Sequence, residues 1–292
     1  MALDSMQEIF DAAAAGNKQF WEVVLDADME EREVTAEQSM EKMRASWRAM
    51  LEADDTYSGD LRSASGLVGG DGQKMRGYAA AGIALSGEYL TEVIATALCT
   101  GESNACMRKI VAAPTAGACG VLPAVLIPLY RRGDFDEDAI VRGLYVAAGI
   151  GAVVGYRACI AGASGGCQAE IGTASAMAAG TLTAIRGGTC AQIGHAAAMA
   201  LKNLLGLICD PVAGLVEVPC VKRNVIGAVN AVSCADMALA GVESHIPVDQ
   251  VIDCMGAVGR RMPAEFRETA LGGLADTPFG REVKERMRNI KA

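Results

Sequence analysis

Ala169-Glu170-Ile171-Gly172-Thr173-Ala174-Ser175-Ala176-Met177-Ala178-Ala179-Gly180-Thr181-Leu182-Thr183-Ala184-Ile185 is long enough for a helix, carries one charge and is built almost wholly from small side chains. Stretches of the same kind lie on either side of it: Gly87 to Leu98, Gly120 to Tyr130, Asp136 to Tyr156, Ala191 to Gly206, Lys222 to Ala240 and Val248 to Arg261. Their lengths are those of helices, and no Asn-Gly hairpin signal separates alternating runs. The prediction is an all-α fold with a buried, small-residue-rich and largely uncharged central layer of helices. Composition points the same way: 51% of the residues are hydrophobic but only 4% aromatic, so Ala, Leu, Ile, Val and Met must fill the core. Such side chains suit helix packed on helix. The 34 glycines weaken helix interiors but let backbones approach closely.

Outward from that layer the character changes. Residues 1–56 are charged and amphipathic, whereas 57–292 are dominated by small apolar residues. The shift divides the chain into N-terminal amphipathic helices, either outer helices or a partner-binding arm, and a larger helical domain. In Thr35-Ala36-Glu37-Gln38 the Thr hydroxyl and the Gln side chain can each satisfy a free backbone N–H, which predicts a helix from there to about Ala53. An earlier helix is expected over Ser5 to Leu25. Thr189-Cys190-Ala191-Gln192 repeats the capping pattern, and Asp210-Pro211 is expected to stop the helix that follows it. The run Asp60 to Gly72 is too rich in Gly and Ser for a helix. It is either a flexible connector or a loop whose backbone N–H groups, around Ser65 and Gly66, meet a carboxylate.

A net charge of −9 argues against a nucleic-acid partner, which calls for a concentrated basic surface. The ten cysteines are spread from Cys99 to Cys254, and the first thirty residues fit neither a signal nor a transit peptide. A reducing cytoplasm is the expected setting. Ile110 to Tyr130 is uncharged and about long enough to span a bilayer, but Pro114, Pro123, Pro128 and a turn at Ala112 to Gly117 break it. No membrane span is expected there.

Three cysteines stand beside residues that interrupt regular structure: Cys167 in Ser164-Gly165-Gly166-Cys167, Cys209 before Asp210-Pro211, and Cys220 after Val218-Pro219. A tight turn or helix start can aim a thiolate at a shared point and offer it free N–H groups. The competing reading is inert buried thiols that happen to fall near turns. Intervals of 41 and 10 intervening residues lack the compact spacing of zinc fingers or ferredoxins and do not decide between the two. Cys99, Cys159, Cys190, Cys234 and Cys254 fall in or near apolar periodic segments and read as core.

The passages Ala112 to Pro123, Ser164 to Gly172 and Gly206 to Asn224, together with Asp60 to Asp71 and Arg267 to Leu274, resemble the oxygen-sensitive, iron–sulfur-dependent bacterial L-serine dehydratases in their alpha subunit. The resemblance covers nearly the whole chain after Tyr57. It implies a carbon–nitrogen lyase that converts L-serine to pyruvate and ammonia, with a [4Fe–4S] cluster held by Cys167, Cys209 and Cys220 and one iron left without a cysteine. It also implies a beta subunit on a separate chain, hence a hetero-oligomer. Cys159 and Ala161 stand where relatives often carry Ser, which leaves the cluster ligands untouched and any role of those hydroxyls open. Lys74, Glu170, His195 or a residue of the partner chain are the choices for the base. His195 is also readable as a helix residue, His245 as a loop residue and Glu170 as a first-turn carboxylate favoured by the helix dipole. Ser65, Gly66, Asn224 and Arg223 are the choices for the substrate carboxylate, although Arg223 and Asn224 equally suit a polar helix start. Pyridoxal phosphate on Lys74 lacks a coherent phosphate-binding arrangement. Two other readings remain: a cysteine desulfidase, and a clusterless scaffold subunit.

Overall fold

The structure, a computed structural model, describes residues 3–291. Its elements in chain order are α1 (Met6–Gly16), α2 (Phe20–Arg32), α3 (Ala36–Asp55), α4 (Asp71–Ala80), α5 (Gly87–Ala105), α6 (Val121–Arg131), α7 (Glu137–Arg157), the single turn α8 (Gly162–Gly165), α9 (Thr173–Ile185), α10 (Cys190–Asn203), α11 (Cys220–Leu239), α12 (Val248–Arg261) and α13 (Pro278–Lys291). A π turn over Gln168–Gly172 leads into α9. Among the described residues there is no strand, and the fold is all-α.

The sequence signals act where they stand. Thr35 and Thr189 both form capping boxes, with Gln38 and Gln192 returning the bond to the cap N–H. Other boundaries differ from expectation. The single helix over Ser5 to Leu25 is two helices, because Asn17 takes a left-handed conformation (φ 47°) that closes α1 before Gln19 caps α2. Asn adopts this conformation more readily than most residues. The helix expected to run to Asp210-Pro211 ends earlier, at Asn203. The Gly-rich run is a loop only as far as Gly70; Asp71 and Gly72 already belong to α4, whose N-terminal N–H groups are satisfied by Glu102. Cys254 is exposed on α12, not core, since it lies on the outward side of a strongly amphipathic helix.

α9 is the centre of the molecule, packed by α6, α7, α10 and α11, while α5 lies against α11. Every residue of α9 from Thr173 to Thr183 is buried. Its hydroxyls turn to neighbouring backbones: Ser175 donates to Gly227 O at 2.8 Å and Thr181 to Gly143 O at 3.0 Å. Buried polar groups thereby stay paired. Gly180 permits the close approach of α7, since a Cβ there would stand 2.3 Å from Ile150 Cδ1. α2 and α3 pack on the outside of α7, and Met6, Ile9, Phe20, Val23 and Trp47 join the same hydrophobic core. α7 is long and apolar enough to cross a membrane, but most of its apolar window is buried by these neighbours, as in a core helix.

Candidate metal centre

Cys167, Cys209 and Cys220 come from three different breaks in regular structure and line one cavity of about 240 Å³ with Thr115, Ala116, Gly117, Glu170, Val216 and Glu268. Cys167 follows Gly166, which at φ 75° turns the chain from α8 into the π turn. Cys209 is held on both sides of its peptide: its N–H donates to Phe266 O and its carbonyl accepts the Glu268 N–H, each at 2.8 Å. Cys220 is the first residue of α11. All three thiols are buried.

The sulfurs of Cys167 and Cys209 and a carboxylate oxygen of Glu170 lie within 4.8 Å of one another. Two sulfurs and an oxygen so close form a donor set for a transition metal rather than for a hard cation. The electrostatics are uneven. A hydrogen bond from Cys209 and the guanidinium of Arg223 hold the Cys167 thiol below its ordinary pKa, against the opposing effect of burial. The same hydrogen bond, with burial, pushes Cys209 strongly upward. Cys220 is pushed up to about 12, chiefly by burial, which outweighs the pull of its helix N-terminus. Metal binding reverses such a balance, because thiol ligands bind deprotonated. Burial also raises the Glu170 carboxyl, while the Thr115 hydroxyl, donating at 2.6 Å, works the other way.

The remaining predicted residues are placed differently. Lys74 is exposed on α4 and paired with Asp71 at 2.9 Å, and it does not line the cavity. His195 lies half-buried on α10, its Nδ1 accepting the Ser244 N–H at 3.3 Å. His245 is exposed in a loop. Ser65 is buried with its hydroxyl on Glu217, and its N–H donates to the same carboxylate at 3.3 Å. The loop 60–70 and the start of α4 do meet carboxylates, and both belong to the protein: Glu217, and Glu102, which accepts the N–H groups of Gly70, Asp71 and Gly72. Gly66 is open, with nothing near its Cα that a side chain would meet. Asn224 bridges two walls of the site, accepting the Gly120 N–H at 2.8 Å and donating to Gly117 O and Cys220 O. Thr115 and Glu268 also line the cavity; both stand in the passages quoted above, but neither carries a sequence signal of its own. Nothing in the sequence marks the left-handed backbone of Glu268, φ 64°, that brings it to the cavity.

An all-helical protein in which separated cysteines meet a carboxylate in one cavity is compatible with a metal centre at that site. A family model described as "Serine dehydratase alpha chain" matches residues 15–275, and the chain belongs to that family. It is 46% identical over 266 residues to the "Probable L-serine dehydratase, alpha chain" of Bacillus subtilis (strain 168), covering 91% of this chain and 89% of the relative. It is 41% identical over 283 residues to the "L-serine dehydratase, alpha chain" of Peptoniphilus asaccharolyticus, covering 97% of each. The "L-serine dehydratase 2" of Escherichia coli (strain K12) shares 46% over 182 residues, 61% of this chain but only 40% of that longer protein.

Proposed function

We propose that this chain is the catalytic alpha subunit of an L-serine dehydratase, a carbon–nitrogen lyase that holds a [4Fe–4S] cluster on Cys167, Cys209 and Cys220. The observation that carries the reading is the convergence of these three thiols on one cavity beside Glu170. Thiolates are the usual ligands of such clusters. A cluster held by these three cysteines would leave one iron without a cysteine, and that iron would supply a Lewis acid for the departing hydroxyl. Serine must also lose its α-proton, and of Lys74, Glu170 and His195 only Glu170 lines the cavity; its raised pKa suits proton exchange nearer neutrality than an ordinary carboxylate. Loss of the proton and the hydroxyl gives aminoacrylate and water; tautomerisation and hydrolysis then give pyruvate and ammonia. Lys74 and His195 are weaker choices because neither lines the cavity.

The alpha-chain names of the full-length relatives support a beta chain as partner and a hetero-oligomer. Ten free cysteines fit a reducing cytoplasm. The test is anaerobic iron and sulfide analysis of the wild type beside Cys167→Ala, Cys209→Ala and Cys220→Ala, with pyruvate release measured from L-serine and L-cysteine in the presence of the beta chain. Loss of cluster and of serine turnover in all three variants is expected. Unchanged cluster content in the variants would overturn the ligand set, and a preference for cysteine would overturn the substrate.

A further inference from the structure

Arg223 lies in the first turn of α11, three residues beyond Cys220, and its side chain is 14% exposed. Its Nη1 donates to Cys167 Sγ at 3.4 Å and to Ile208 O at 2.8 Å. Its Nη2 stands 2.8 Å from Asp210 Oδ1 as an ion pair. Asp210 is buried, and its other oxygen accepts the Leu274 N–H at 2.7 Å. One planar fork therefore touches the first cysteine of the trio and the residues on either side of the second, and it is carried by the helix that begins at the third. A guanidinium committed in this way has little left for a substrate carboxylate.

We propose that Arg223 is the positioning residue of the cysteine triad: it fixes the separation of Cys167, Cys209 and Cys220, and draws negative charge from the Cys167 sulfur toward its own N–H. The inference rests on the cluster reading above. Hydrogen bonds to ligand sulfurs are among the factors that set cluster reduction potentials, and removing outer partners of a metal ligand typically weakens retention. A donor that stabilises the charge of the reduced cluster raises its potential. Lysine cannot reproduce the effect, because a single ammonium cannot reach both the thiolate and Asp210 with the geometry of a rigid fork.

The test uses the full chain, reconstituted anaerobically with iron and sulfide, as wild type, Arg223→Gln, Arg223→Lys and Asp210→Asn. Three readouts are taken: the rate of iron loss to a chelator, the reduction potential of the cluster, and the thermal midpoint. In both Arg223 variants iron loss should accelerate about 10- to 100-fold and the potential should fall. Asp210→Asn, which keeps the donor to Cys167, should lower the thermal midpoint with a smaller change in potential. If Arg223→Gln does not fold, Arg223→Lys decides alone. Wild-type iron retention and potential in the Arg223 variants, with only a lower thermal midpoint, would reduce Arg223 to a structural brace and overturn the proposal. A wild-type chain that takes up no iron and sulfide would overturn the cluster reading and this inference together.

Discussion

Thr115 Oγ1 donates a 2.6 Å hydrogen bond to Glu170 Oε1, joining the loop after Ala113-Pro114 to the π turn after Cys167. The bond favours the ionised carboxylate, and burial favours the neutral acid; burial wins, and the pKa is raised. Thr115→Val keeps the shape and removes the donor, so the Glu170 pKa should rise further. If Glu170 is the base, the corresponding limb of kcat/KM against pH must move to higher pH in this variant. Glu170→Gln should remove the limb and lower turnover about 10²- to 10⁴-fold. A profile that does not move in Thr115→Val would assign the base elsewhere.

The same shift predicts a stability effect in the metal-free chain. The folded pKa of Glu170 lies above its ordinary value of 4.5, so below that pH both folded and unfolded chains carry the protonated acid and nothing is lost. As pH rises from there through the folded pKa, the unfolded chain releases its proton more readily, and the folded state is progressively disfavoured. Glu170→Gln has no proton to release. Its thermal midpoint relative to wild type should therefore climb with pH across that window and level off above it. A difference independent of pH would show that the carboxyl titrates alike in both states.

Glu102 faces donors only: the Tyr57 hydroxyl at 2.6 Å and the N–H groups of Gly70, Asp71 and Gly72 at 3.1, 2.8 and 3.2 Å. Burial and this bond raise the Tyr57 pKa, so the phenol remains a donor. In Glu102→Gln the amide NH₂ must point at one of these donors, and chemical unfolding should register a loss of about 2–3 kcal/mol. Lys74, four residues beyond Gly70, sits in solvent with 78% of its side chain exposed. Lys74→Met should leave kcat and KM for L-serine within about threefold, in keeping with the small worth of an exposed ion pair.

What was legible in the sequence follows the range of the forces involved. Thr35, Thr189 and the apolar runs act within a few residues, so the caps, α9, α11 and α12 could be read directly. α4 could not, because its start depends on Glu102, some thirty residues away, and α13 shows few apolar residues until Val283 and Met287 pack against Val212. The cysteine triad was half legible. Gly166, Pro211 and Pro219 marked the breaks, and resemblance grouped the thiols. Their meeting with Glu170, and Arg223 donating to Cys167, arise from helices that converge only in the folded chain. The loop at Ser65 is the reverse case: its sequence fits a flexible connector or a loop whose N–H groups meet a carboxylate, and the Ser65 N–H is taken by the protein's own Glu217, from the turn before Cys220.

Asp54 gives the clearest contrast between a buried and an exposed ion pair. Its fully buried carboxylate ties α3 to α4 and α6, through Arg76 Nη2 at 2.7 Å and Arg131 Nη1 at 2.6 Å. Both arginines are more than a third exposed, so on loss of the carboxylate they can rehydrate, and the penalty should fall below that of a wholly buried pair. Asp54→Asn should cost about 2–4 kcal/mol in urea unfolding. Lys109 and Glu52 stand 2.6 Å apart, yet both are more than half exposed; there Lys109→Ala should change stability too little to resolve. Raising the salt to about 1 M shortens the screening length to about 3 Å and should erase whatever the Lys109 pair contributes while leaving most of the Asp54 loss in place. If salt abolished both effects alike, water would have to reach Asp54, and its burial against the two arginines would not be what holds α3 to the central helices.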